Sequence, residues 1–199
     1  NRDSQATRDG DSAGDRWDLL RGGFRIDWDR DEVDSFRFQG DIYEVDAGQT
    51  LMLPLLDPPY THTFRDDLDL SGGYLLSRWE RQLSSGSDLA LQLSYTRSYR
   101  EDTALKEDRD IINIDFQHRF HPWDNHEIIW GLGYRYTADD LGNSFSISFF
   151  PEEDESHLFS AFIQDEITLS EDRLTLTLGS KFEHNDFTGM EYQPNARLL

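Results

Sequence analysis

The sequence predicts an all-β protein, an antiparallel up-and-down transmembrane β-barrel arrangement of about eight to nine strands. Three observations lead there. From Trp17 onward apolar and polar residues alternate with a period of two through most of the chain. Short turns alternate with long polar connections, so all the short turns fall at one end of the sheet and all the long ones at the other. The alternating segments run to ~10–13 residues, long enough to cross a hydrocarbon layer at a tilt and longer than the ~5–6 usual in soluble sheets.

Residues 1–15 are polar, carry no apolar period and read as a loop or disordered arm; the strands occupy 16–199. The first pair is "WDLLRGGFRIDWD" and "DSFRFQGDIYEV", joined at "DRDE". Leu20, Phe24, Ile26 and Trp28 share one face with Phe36, Phe38 and Ile42. The second pair is "GGYLLSRWERQL" and "DLALQLSYTRSY", joined by "SSGS". The third is "RDIINIDFQHRF" and "HEIIWGLGYRY", joined by "HPWDN". The fourth is "HLFSAFIQDEITL" and "RLTLTLGSKFEH", joined by "SED". "PNARLL" begins a ninth strand. The longer connections are expected at about Ala47–Leu68, Glu101–Asp108, Thr137–Ser156 and Phe187–Pro194.

Composition sets limits. Of 199 residues 36% are hydrophobic, polar for a compact globule, yet 13% are aromatic, too many for a disordered chain. "LMLPLL", Leu51–Leu56, is the longest nearly apolar run, far below the ~20 residues of a spanning helix. No cysteine is present, which removes disulfides and thiolate chemistry. Forty acidic against 19 basic residues give a net charge of −21, so nucleic acid is not an expected partner. "NRDSQATRDGDSAGD" has neither the basic start nor the apolar centre of a signal peptide, so an export signal would lie upstream or have been removed.

Alternation alone leaves open whether the apolar face looks inward, as in a soluble acidic β-barrel that binds a small ligand, or outward to lipid. The opposite face carries Arg21, Arg25, Arg37, Asp41, Gln92, Asp115, Arg135, Lys181 and Glu183, which suit solvent or a watery lumen alike. Loop asymmetry, strand length and aromatics near strand ends (Trp17, Trp28, Trp79, Tyr99, Phe120, Tyr136, Phe159) favour lipid on the apolar side. A small closed outer-membrane barrel with a passive or adhesive role is a further alternative. Asp165 departs from the pattern, since it falls in phase with Phe159, Ala161, Ile163 and Ile167. A position near the periplasmic end or a β-bulge would accommodate it.

Site chemistry is sparse. Glu183, His184 and Asp186 look like a metal trio, but on a strand Glu183 and His184 point to opposite faces, so no metal site is expected. "PEEDESH", Pro151–His157, is an acidic loop without the spaced ligands and turn glycine of a calcium loop. No nucleophile elbow, paired-histidine metal motif or phosphate loop appears, and neither catalysis nor a cofactor is expected.

"FSAFIQDEITL" followed by "DRLTLTLGSKFEHNDFTGMEYQPNARLL" resembles the barrel of TonB-dependent outer-membrane receptors, and "RGGFRIDWD", "FQGDIYE" and "IIWGLGYRY" are similar to other strands of such barrels. The resemblance covers nearly everything from Trp17 onward. It implies an import receptor in the outer membrane of a Gram-negative bacterium, taking up a scarce nutrient such as a ferric siderophore. Its partners would be outer-membrane lipid, a small-molecule or metal-chelate ligand, and the TonB complex acting through a plug that no stretch of this chain resembles. Barrels of this kind are ~22-stranded, so the chain reads as a middle portion of one. In such receptors the extracellular loops contact ligand, which singles out Tyr60, His62 and Phe64 in "LLDPPYTHTF" and Phe149 and Phe150 in "SFSISFF".

Overall fold

The computed structural model describes residues 2–5, 12–170 and 173–199. Nine strands follow one another in a single antiparallel sheet, each bonded to its sequence neighbours. They are β1 (Trp17–Asp29), β2 (Asp34–Pro54), β3 (Thr61–Ser84), β4 (Ser87–Glu101), β5 (Lys106–Trp123), β6 (His126–Gly142), β7 (Glu153–Ser170), β8 (Leu174–Asn185) and β9 (Gly189–Leu198). β1 and β9 do not pair with each other, so the sheet is open rather than a closed small barrel. Arg2 bridges Trp17, and the Ala13 amide donates to the Gln5 carbonyl at 2.7 Å, so the described residues before β1 lie beside its first residues.

Register sorts the side chains into two sets, because directly opposed residues share a face. One set runs Trp28–Phe36–Trp79–Leu91–Phe116–Leu132–Ala161–Phe182–Tyr192 across all nine strands. The other runs Asp27–Arg37–Arg78–Gln92–Asp115 and on through Gly133 to Ser160 and Glu183. Among the described residues no apolar side chain is buried; large ones such as Phe24, Leu75, Leu132 and Ile163 are more than half exposed. That is the reverse of a soluble barrel with a dry apolar interior. A hollow of about 340 Å³ touches Arg78 of β3, Gln92, Asp115 and Ser160, and Lys181 of β8. On a flat sheet strands that far apart would be separated by ~24 Å, so the sheet curls around its polar face.

The expected connections shrink. The strands reach 21 residues in β2 and 24 in β3, beyond the ~10–13 of the sequence reading. Most of Ala47–Leu68 is strand, leaving residues 55–60 as the loop; Thr137–Ser156 contracts to 143–152, Glu101–Asp108 to 102–105, and Phe187–Pro194 to 186–188. "PEEDESH" is likewise mostly the start of β7. The physical reason is that the period of two continues above the apolar belt while its polarity changes face. Leu51, Leu53, Phe64, Leu68 and Leu70 fall in the phase that is polar lower down, and Asp46, Asp67 and Asp69 in the phase that is apolar lower down.

Asp165 stands on the apolar face opposite Ile128 and Leu178, in unbroken register; the bulge of β7 falls later, between Thr168 and Ser170. It is accommodated by His126, whose Nδ1 donates to Asp165 at 2.8 Å, with Trp123 packed on the imidazole at 5.1 Å. The pair lies at the short-turn end, beside residues 124–125.

Two turns are fixed by aspartates. In the β1–β2 turn Asp31 accepts the amides of Asp34 and Val33 at 2.7 and 2.9 Å, and these bonds hold its carboxyl below its ordinary value. In the β4–β5 turn burial pushes the Asp102 carboxyl up, but the Arg100 guanidinium and the amides of Leu105 and Ala104 outweigh it and hold it below its ordinary value.

Two outcomes follow for these local devices. A carboxylate depressed on folding stabilises above its unfolded pKa, and that contribution is lost as pH falls through the lower folded value. Amide exchange at Ala104 and Leu105 is therefore expected to rise on acidification below the ordinary carboxylate range, and Asp102→Ala to raise it at neutral pH with a loss of about 1 kcal/mol. For the second device, His126→Leu alone is expected to cost about 1–3 kcal/mol by leaving the Asp165 carboxylate unpaired, and His126→Leu with Asp165→Leu to recover most of it in a double-mutant cycle read by chemical denaturation.

Candidate functional site

The polar face is a lattice of compensated charges. Arg21 pairs with Asp41 across β1 and β2, and Asp27 accepts from both Arg25 and Arg37, at 2.7 and 2.9 Å. Arg78 reaches Glu80 at 2.7 Å and Gln92 at 3.4 Å. Arg135 donates to Asn113 at 2.6 Å, which in turn donates to Ser94 at 3.2 Å. Lys181 holds Glu183 at 2.7 Å, and Gln193 donates to the same carboxylate at 3.0 Å. All nine polar residues singled out from the sequence thus share one face, and each guanidinium or ammonium among them has a polar partner within reach. Such a surface is wettable and close to electrically balanced, though Asp115 has no side-chain partner among the described residues and Arg135 only the neutral Asn113.

The opposite face carries two aromatic bands. Toward the short turns, Trp28, Phe36 and Trp79 stack in a row at 5.3 and 6.4 Å, and the Trp79 indole N–H donates to Asp34 at 2.8 Å. Trp130 packs on Phe116 at 5.3 Å and donates to His118 at 3.2 Å. Toward the long loops stand Tyr95, whose hydroxyl reaches Asp110 at 2.5 Å, and Tyr134, 4.9 Å from Phe159 and 3.0 Å from His157 Nδ1. Between the bands β6 presents Leu132 alone. Ile128 to Tyr136 span about 26 Å of strand, or about 20 Å of height at a tilt of ~40°, most of a ~25 Å apolar band.

At the long-loop end the sequence candidates separate. His62 and Phe64 lie on the β3 face that is polar lower down, stacked at 5.8 Å. Tyr60 is in the loop before them with a positive φ of 66°, and its amide donates to the Asp57 carbonyl. Phe149 and Phe150 belong to the β6–β7 loop, Phe150 fully exposed and the Phe149 amide held by Asn143 at 2.6 Å. Among the described residues no hydrogen bond or aromatic pair joins these two groups. The Glu183, His184 and Asp186 trio is dispersed: Glu183 is on the polar face, His184 on the apolar face opposite Phe159, and Asp186 accepts the His157 amide at 2.6 Å. Among the described residues no group of three potential ligands is placed to hold a metal ion.

Sequence reading passed over Asp66. It lies on the same face as Phe64 and Leu68, opposite Gln49. Its partners are neutral: Thr103 donates through its hydroxyl at 2.5 Å and its amide at 3.1 Å, and Gln49 through its amide nitrogen at 3.3 Å. The alternation of "THTFRDDLDL" contained this placement, but an aspartate inside a stretch taken as loop gave no reason to single it out.

A family model for the TonB dependent receptor-like β-barrel matches residues 1–198. Among solved structures, the copper transporter OprC aligns with a TM-score of 0.61 at 13% identity over 98% of this chain and 35% of its own. The siderophore receptor PirA from Acinetobacter baumannii gives 0.60 at 11% over 94% and 32%, and PirA from Pseudomonas aeruginosa 0.51 at 17% over 94% and 39%. At these identities the likeness is one of fold. The chain spans about a third of the length of these structures. No curated protein matches it.

Proposed function

The chain belongs to the TonB-dependent receptor-like β-barrel family, and from that premise we propose that it forms nine consecutive strands of a larger outer-membrane barrel that imports a small-molecule or metal-chelate ligand. Arg21, Arg25, Arg37, Asp41, Gln92, Asp115, Arg135, Lys181 and Glu183 line the lumen, and the aromatic-banded face meets lipid. Energy comes from the TonB complex through a plug supplied from outside these strands. Residues 2–5 and 12–15 serve as a polar loop ahead of the barrel strands at 16–199, the rest of the 1–15 segment lying outside the described residues. His62 and Phe64 take part in ligand capture at the extracellular end, with Tyr60, Phe149 and Phe150 on neighbouring loops.

The observation that supports this reading best is the division of the sheet into two faces suited to two solvents. A continuous apolar face with an aromatic band toward each end fits a bilayer, and a face of paired charges curled around a hollow fits a wet passage. The structures of similar fold are a copper transporter and siderophore receptors, which accords with carriage of a metal or its chelate.

Two measurements test it. Leu132→Arg, in the middle of the apolar face, is expected to cost about 2–4 kcal/mol of stability in bilayers, whereas Gln117→Arg on the polar face of the adjacent strand costs less than 1 kcal/mol; equal effects would deny the lipid assignment. In cells starved of metal, deleting the receptor that carries these strands is expected to abolish TonB-dependent accumulation of labelled metal chelates. Undiminished accumulation across a chelate panel would overturn the import reading.

A further inference from the structure

Above the apolar belt, β2 and β3 continue from Tyr43 to Pro54 and back from Thr61, on the order of 40 Å of further strand. There the faces exchange character. Opposed rows Leu19–Val45–Leu70, Trp17–Ala47–Leu68 and Leu51–Phe64 build an apolar patch on the face that is polar below. Trp17 and Leu19 are 38% and 48% exposed within it. The other face at this height opposes Asp46 to Asp69 and Asp69 to Glu101, like charges directly across the sheet. A ribbon wetted on both sides gains nothing by gathering its apolar residues on one of them, unless that side is covered.

What covers it is indicated by charge. Asp66 sits in the patch between Phe64 and Leu68 along the strand, and its carboxylate is bonded to neutral donors alone among the described residues. Three donors leave room for a fourth on its two oxygens. The arginines around the β4–β5 turn are already taken, Arg97 by Asp108 at 2.6 Å, Arg100 by Asp102 at 2.7 Å and Arg109 by Asp139 and Glu107, while Arg65, opposite Thr50 on the other face of β3, donates to the Ser12 carbonyl. The acidic excess of the chain gathers at this end, where Asp108 and Asp140, and Asp140 and Glu153, also stand opposed. An anion approaching the face that carries Asp66 meets a repulsive field from the acidic excess at this end, whereas a cation is drawn in.

We infer that the ligand taken up here is a metal chelate of net positive charge with an apolar face, its apolar face against Leu51, Phe64 and Leu68 and its cationic group at Asp66. The inference rests on the import reading above and narrows it to a class of ligand.

The test uses the whole receptor in detergent and three ferric chelates: an anionic tris-catecholate, a neutral cyclic tris-hydroxamate and a linear tris-hydroxamate bearing a free ammonium group. Affinities are measured by calorimetry at low and high salt. The ammonium-bearing chelate is expected to bind at least about tenfold more tightly than the tris-catecholate, with a preference that shrinks as salt rises. Asp66→Asn is expected to lower its affinity about fivefold to tenfold while leaving the neutral chelate unchanged, and Asp66→Glu, which keeps the charge, to retain the preference. Tightest binding of the tris-catecholate, or an unchanged preference in Asp66→Asn, would overturn the charge assignment while leaving the import reading intact. Binding of none of the three would overturn the import reading and this inference with it.

Discussion

Everything in this sheet depends on the requirement that backbone N–H and C=O groups be paired by neighbouring strands wherever water is excluded. A β-strand cannot satisfy itself, so a strand that crosses hydrocarbon needs a partner on each side. Strands β2 to β8 have a partner on each side, and β1 and β9 have one partner each within this sheet. Once pairing is fixed, each side chain has only two directions available, and the sequence has to serve a different solvent in each. That is why the composition is at once polar and aromatic: half of each strand is selected for water and half for lipid, and no third environment exists in which a conventional core could form.

The same constraint explains where polar groups are tolerated on the apolar face. His126 donates to one oxygen of Asp165 at the short-turn end, the indole N–H groups of Trp79 and Trp130 have acceptors in Asp34 and His118, and the Tyr134 hydroxyl has His157. Each pairs a polar atom with a neighbour away from the level of Leu132, Asp165 at the short-turn end and Trp130 and Tyr134 one same-face position to either side of it. On the polar face the demand is weaker, since water can satisfy what the protein does not. The pairs there join a cation to a carboxylate two residues along the same strand, as in Arg25–Asp27, Arg78–Glu80 and Lys181–Glu183, or across one strand gap, as in Arg21–Asp41 and Arg37–Asp27, and each is worth little in stability.

Strand order, the pairing of neighbours and the two-face division from Trp17 to Leu198 were legible in the sequence, because period-two alternation reports them directly. The heights of β2, β3, β5, β6 and β7 were not. Alternation there persists, but the apolar residues change phase between Ile42 and Val45 in β2 and between Leu75 and Leu70 in β3. A reader following one phase sees the pattern end and takes a loop to begin. Asp165 was legible as an anomaly but not in its resolution, since His126 lies on a different strand and only the register brings the two together. Asp66 was invisible for a related reason: its significance comes from Thr103, which arrives from the β4–β5 turn.

The change of phase carries the functional logic further than any single residue. Within the belt the outward face must be apolar and the curled face must be wet, so neither can be spent on recognising a ligand's apolar surface. Above the belt that restriction lifts, because water lies on both sides. The strands that rise farthest, β2 and β3, are the ones that turn their apolar residues to the curled side and their carboxylates outward. A surface that reversed polarity merely to stay soluble would have made both sides polar. Keeping one side apolar, with a carboxylate answered by neutral donors set inside it, is the arrangement expected of a surface that receives an amphipathic cation.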